Sequence, residues 1–207
     1  LHKFTIVVNY SASTGDCQLK LQNEAIVAWE SDAVSHNGTA REYITVHVNE
    51  GEFIGDIIEQ MGIDPKEIIN LKLTGTLSNH DHFGYIRENM PYLEAVNMRD
   101  LRTKNQQSFY WEGNGTAGDG WGEPAYDQPI YADDYIPQGA FQKMSFLSYV
   151  VWPKHLVGIG DEAFAGTNLR GSIILPEGLK HIQRGAFCSA GLTEISIPGT
   201  VIDIGDD

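Results

Sequence analysis

Along residues 136–207 the apolar positions return at a fixed interval. Ala140-Phe141, Ala163-Phe164 and Ala186-Phe187 are 23 and 23 residues apart, Pro153, Pro176 and Pro198 are 23 and 22 apart, and Ile159, Ile182 and Ile204 are 23 and 22 apart. Three unrelated markers sharing one period indicate a stacked repeat. Between each Phe and the next Pro lies an apolar triplet: Leu147, Val150, Trp152; then Leu169, Ile173, Leu175, with one extra residue; then Leu192, Ile195, Ile197. The last two members of each triplet are two apart, as a short strand with one buried face requires. Proline closes the strand. Leu156, Leu179 and Val201 follow, three residues before the period-marking Ile, and keep the inner wall apolar as the chain turns back. The Ala-Phe pair suits the opposite wall, where the small residue admits close approach and the ring fills the space between coils. One coil cannot bury its own apolar face, so stacked neighbours supply the core. The predicted repeat core is Phe141, Val150, Ile159, Phe164, Ile173, Leu175, Ile182, Phe187, Ile195, Ile197 and Ile204.

These residues resemble the leucine-rich repeats of the Treponema pallidum or BspA-like type, whose pattern is L-x-x-L-x-L-P-x-x-L-x-x-I-x-x-x-A-F. One departure concerns cysteine: family repeats often carry Cys a few residues after the Phe, whereas Cys188 follows Phe187 at once and the other coils have Gln142 and Ala165 there. The resemblance implies an α+β/β solenoid, a right-handed leucine-rich-repeat coil with short strands. It also implies a non-enzymatic bacterial protein, secreted or on the cell surface, that mediates adhesion or protein–protein interaction with host matrix or other cells. The pattern breaks off at Ile204-Gly205-Asp206-Asp207, where the next Ala-Phe would fall, so the solenoid is expected to continue.

Weaker echoes of the unit come earlier. Ile68, Leu71, Leu73 and Leu93, Val96, Met98 obey L-x-x-L-x-L, with 25 residues from Leu73 to Met98. Phe53, Ile57 and Met61 recur every four residues and predict a helix with Gly62 at its C′ position, and Asp64-Pro65 reads as an N-cap followed by Pro at N1. Phe83, Ile86 and Met90 predict a second short helix ending before Pro91. Residues 49–207 are thus expected to form the solenoid, interrupted by a glycine- and aromatic-rich insertion at 103–135. Residues 1–48 carry four strand-like runs, at 4–8, 17–21, 25–29 and 43–48, and are expected to form a small β unit, either a cap or part of an immunoglobulin-like module.

Charge narrows the function classes. The chain has 207 residues, 14 Lys plus Arg against 28 Asp plus Glu, and a net charge of −14, which repels phosphate backbones and excludes nucleic acid as an expected partner. Residues 1–135 hold 9 basic and 21 acidic side chains and residues 136–207 hold 5 and 7, so the acidity is concentrated outside the clear repeats. No apolar run reaches the length of a membrane span. The N-terminal residues lack the pattern of a signal peptide. Cys17 and Cys188 fall in different units and do not indicate a disulfide.

Candidate chemistry is sparse. No G-x-S-x-G, H-E-x-x-H, phosphate-loop or dinucleotide motif is present, and neither catalysis nor a cofactor is predicted. His80-Asp81-His82 has metal-competent side chains but no third ligand at a fixed separation, and Asp81 serves equally well at the start of a helix; no metal is predicted. The sequons at Asn37 and Asn114 are discounted as chance matches. The insertion interleaves Phe109, Tyr110, Trp111, Trp121, Tyr126, Tyr131 and Tyr135 with acidic residues. Phe109, Trp111 and Tyr131 are expected to fold back on the adjacent coil. Trp121 and Tyr126, with Asp119 and Glu123, are the candidate ligand-binding residues, since aromatic faces beside acceptors suit sugars or interface hot spots. The expected partner is therefore a protein, or alternatively a glycan held by loop 109–135.

Overall fold

The computed structural model describes residues 6–10, 17–21, 42–108 and 130–205. Contacts divide the chain into two units, Leu1–Glu42 and Tyr43–Asp207. In the first, β1 (Ile6–Tyr10) and β2 (Cys17–Leu21) form an antiparallel pair with Ile6 opposite Leu21 and Tyr10 opposite Cys17. The strand expected at 25–29 lies outside the described residues.

The strand expected at 43–48 does not join that pair. As β3 (Ile44–Val48) it runs parallel to β4 (Asn70–Leu77), with Ile44 opposite Leu71 and Val48 opposite Gly75. Its inward residues Val46 and Val48 are fully buried in the core of the second unit, which moves the boundary from Val48 back to Glu42. β5 (Ala95–Thr103) pairs in parallel with β4, and β9 (Tyr149–Val151) with β5, completing a four-stranded sheet. β5 carries a bulge: Lys72 faces Asn97 and Thr74 faces Asp100, so Met98 and Arg99 together oppose Leu73. The buried Asn97 side chain accepts a hydrogen bond from the Arg99 amide at 3.1 Å across that bulge.

Two helices sit between these strands. α1 (Ile54–Gln60) fully buries Ile54 and Ile58; of the predicted stripe, Phe53 and Ile57 pack partly buried against the core and Met61 is exposed, and Phe53 is the N-cap, its ring standing against Tyr85 and His82. Gly62 ends the helix at φ +69°, and the Asp64 carboxylate accepts from the Lys66 amide at 3.0 Å to start a 3-10 turn at Pro65–Glu67. α2 (Asp81–Asn89) buries Phe83 and Ile86, with Met90 fully buried just beyond it, as their spacing requires.

The repeats from residue 134 onward are joined by hydrogen bonds on three walls. The first wall is a parallel ladder of two-residue strands in chain order: β8 (Tyr135–Ile136), β10 (Gly158–Ile159), β12 (His181–Ile182) and β14 (Asp203–Ile204). Tyr135 and Ile136 thereby open the repeat one coil before Ile159, four residues ahead of its first Ala-Phe, and Tyr135 leaves the stretch read as insertion. The Tyr135 ring lies directly over Gly158, where a Cβ would collide with it. On the second wall the amides of Gly139, Phe141 and Lys143 donate to the carbonyls of Asp161, Ala163 and Ala165, and those of Glu162, Phe164 and Gly166 to Arg184, Ala186 and Cys188, all at 2.7–3.0 Å. The third wall is the strand wall, where β11 (Gly171–Ile174) pairs with β13 (Leu192–Ser196) in a ladder separate from β9. The ladder shifts register between Gly171 and Ser172: Gly171, at φ +75°, faces Leu192 and Ser172 faces Glu194, which leaves Thr193 of β13 as the unmatched residue.

Phenylalanines line up between the walls. Phe141 and Phe164 stack with centroids 5.2 Å apart, Phe164 and Phe187 with centroids 5.6 Å apart, and Trp152 meets Phe164 edge-on at 5.3 Å. Phe83 of α2 extends the column, edge-on to Phe141 at 5.6 Å. Ile159, Leu175 and Ile182 are buried, and Val150, Ile173, Phe187 and Ile195 pack partly buried against the same core. Ile197 and Ile204 depart from the predicted core, at 40% and 58% exposed, because among the described residues no further strand pairs beyond β13 or β14.

Each Ala-Phe segment is bracketed by two left-handed residues. One position is Gly139, Glu162 and Gly185, at φ +59°, +52° and +58°; the other is Lys143, Gly166 and Ser189, at φ +62°, +68° and +54°. The conformation therefore belongs to the coil, whichever residue occupies it. A non-glycine residue there costs on the order of 1 kcal/mol. Exposed Lys143 is the cleanest case: Lys143→Gly is expected to raise the urea midpoint, with a gain of about 0.5–1 kcal/mol, whereas Gly166→Ala should lower it.

Candidate interaction face

β4 alternates buried Leu71, Leu73 and Leu77 with the half-buried polar residues Lys72, Thr74 and Thr76, so one side of the four-stranded sheet faces away from the core. Register carries rows of side chains across it. His47 lies opposite Thr74, which lies opposite Asp100, and Thr76 lies opposite Arg102. The His47 ring and the Thr74 hydroxyl share a hydrogen bond at 2.9 Å between Nδ1 and Oγ1.

Ion pairs tie these rows to neighbouring segments of the same chain. Lys154 Nζ donates to Asp100 Oδ1 at 2.7 Å, and Lys104 Nζ to Glu50 Oε2 at 2.9 Å. Arg102 grips Asp134 with two bonds of 2.7 Å, Nε to Oδ1 and Nη2 to Oδ2, the fork geometry that matches guanidinium to carboxylate. The hydrogen bond from Lys154, with Lys72 and Arg99 nearby, holds the Asp100 carboxyl below the usual carboxylate range. Hydrogen bonding and charge from Asp134 raise Arg102, and Glu50 does the same for Lys104. Lys72, Arg102, Lys104 and Lys154 thus meet on one face of a chain that has only 14 basic residues. In sequence these partners are 32 or 54 residues apart. The alternation of Lys72, Thr74 and Thr76 is the one local signal that could have marked the face.

At its far end the face meets the root of the insertion. β6 (Gln106–Ser108) and β7 (Ile130–Ala132) pair antiparallel, so the insertion leaves and returns as a hairpin. The fully buried Gln106 donates to the carbonyls of Leu77 and Lys104 at 3.1 and 2.8 Å, and Thr103 Oγ1 donates to the Tyr135 carbonyl at 2.8 Å. The candidate ligand residues Asp119, Trp121, Glu123 and Tyr126, together with Phe109, Tyr110 and Trp111, lie outside the described residues.

The remaining sequence candidates separate. His80 is exposed and 3.4 Å from Asp81, whereas His82 is buried and its Nδ1 accepts from the Ile54 amide at 3.4 Å, so the triplet is split between solvent and core. Among the described residues no three His, Cys, Asp or Glu side chains are grouped to hold a metal ion. Cys188 is an exposed free thiol. His181 is partly buried, with Nδ1 3.4 Å from Asp203, and stacks on Tyr135.

Burial holds His82 below its ordinary value of 6.5, against the smaller opposing pull of Asp81. The unfolded chain then binds the proton more readily, so stability is present above 6.5 and is lost as pH falls through that range. Urea midpoints should drop between about pH 7.5 and about pH 5.5, and His82→Asn should flatten that slope whatever it does to the absolute midpoint.

Residues 134–207 match the BspA type leucine rich repeat region, in six copies. No curated protein matches the chain. Among the described residues no helix is long and apolar enough to cross a membrane.

Proposed function

We propose that this chain, whose residues 134–207 are a BspA-type leucine-rich repeat region, is a non-enzymatic adhesion or protein-interaction module displayed on a bacterial surface or secreted. The parallel ladders on successive coils support a right-handed solenoid occupying 43–207, with the separate unit before it serving as a cap or an adjoining module. Leucine-rich repeat regions generally bind protein partners, and the exposed strand face is the natural place for one.

One observation carries this reading: beside the outward face of the sheet, Asp100, Arg102 and Lys104 are held in pairs with Lys154, Asp134 and Glu50. A side chain already held in place loses less freedom on binding, and charge pairs at a rim set register and on-rate for a partner of mixed charge. A glycan is the second reading, supported by the antiparallel pair β6 and β7, which gives the insertion that carries Trp121 and Tyr126 a hydrogen-bonded base.

The test is binding of the intact chain to immobilised matrix proteins and to a glycan array. On the first reading Lys72→Glu with Lys154→Glu weakens binding to a matrix protein by about tenfold or more, and Trp121→Ala leaves it unchanged. Saccharide binding abolished by Trp121→Ala would move the function to the insertion. Binding to neither class would leave a structural spacer and overturn both readings.

A further inference from the structure

Away from the strand face, α1, the 3-10 turn after it and α2 enclose an open cleft of about 360 Å³. Its floor is Gly55 with Ile58 and Ile63, and its aromatic walls are Phe53 and Tyr85, edge-to-face with centroids 5.5 Å apart. Glycine at 55 permits this arrangement: a Cβ there would stand 2.7 Å from Phe53 Cε1 and 2.8 Å from Tyr85 Cε2. Asp56 and Glu59 line the same cleft and are exposed. Both carboxylates, with Asp64, act on the Tyr85 phenol, which burial and these charges together push up. The surrounding segment 49–71 holds Glu50, Glu52, Asp56, Glu59, Asp64 and Glu67 against a single Lys66.

We propose that this cleft seats a lysine or arginine side chain of a protein partner, the alkyl stem lying against Phe53 and Tyr85 and the cationic head between Asp56 and Glu59. The pairing of surfaces selects this occupant. Aromatic faces attract cations through their quadrupole, and the stem of Lys or Arg covers apolar surface while its head stays near acceptors. An anion would meet two carboxylates and no base. A purely apolar group would strip water from both acids without replacing those hydrogen bonds. The cleft lies on different elements from the strand face and does not rest on the function proposed for that face.

The experiment is a ¹H–¹⁵N titration of the intact chain with three probes: a hexalysine peptide, the N-acetyl methylamide of lysine, and the same derivative of norleucine, which keeps the stem and drops the charge. The hexalysine and lysine probes should shift the amides of Gly55, Glu59 and Tyr85, and norleucine should not. Asp56→Asn with Glu59→Gln exchanges two exposed side chains and leaves the fold intact. It should weaken both cationic probes about fivefold or more, as should Tyr85→Leu. The proposal is overturned if norleucine shifts the same amides equally, if the lysine shifts spread over the whole acidic surface and persist in the double variant, or if no shifts occur. It is also overturned if tetramethylammonium shifts these amides while hexalysine does not, since the cleft would then serve a free quaternary ammonium.

Discussion

Phe164→Ala is expected to cost about 3–5 kcal/mol of unfolding free energy, read as a fall in the urea midpoint by far-ultraviolet circular dichroism. Phe164 is fully buried at the centre of the ring column, stacked on Phe141 and Phe187 and met edge-on by Trp152. Removing it takes a partner from three rings at once and leaves a cavity between coils whose backbones are pinned by the bonds from Phe141 to Ala163 and from Phe164 to Ala186. Pinned walls collapse poorly, which places the loss toward the upper end of that range. Phe146→Ala is the control: Phe146 is 49% exposed and paired with exposed Tyr92, so its loss should stay below about 1 kcal/mol. Equal effects at the two positions would show that the column is not the organising core.

The second large effect is expected at Gly75, where alanine should cost about 3 kcal/mol. Gly75 sits in β4 opposite Val48 and Leu101, at φ +90°, with no room for a Cβ beside the Val48 carbonyl oxygen. The obstacle is backbone and cannot rotate away as a side-chain tip can, so β3 must move off β4 or the strand must untwist. The measurement is again the urea midpoint, paired with hydrogen exchange of the β3 amides, which should lose protection first. Unchanged β3 protection in Gly75→Ala would contradict a local cause.

Where residues repeated in type, the sequence was legible. The 23-residue recurrence of Ala-Phe named three members of the column, Phe141, Phe164 and Phe187. Where a conformation repeats but the residue does not, nothing showed: Glu162 and Lys143 occupy left-handed positions that glycine holds in neighbouring coils, and no residue pattern marks them. Phe83 escaped for a related reason, since it reaches the column from a helix, whose spacing differs from that of the later coils. The face of ion pairs was invisible because its partners meet only through strand register, Arg102 with Asp134 and Lys154 with Asp100. The boundary at residue 48 failed on a plain ambiguity: a β-rich run at 43–48 reads the same whether it pairs backward or forward, and burial of Val46 and Val48 decides it.

The bonds that join the Ala-Phe segments all span 22 residues and run from one coil to the next. They therefore lie along the stacking direction instead of across it. A force drawing the two ends of the repeat apart would load these bonds in series, each opening before the next bears the strain, so the coils would peel away singly and lengthen the chain in small steps. A sheet sheared along its strands must break its bonds together, at a higher and more abrupt force. A repeat bonded in this way is expected to yield coil by coil under tension.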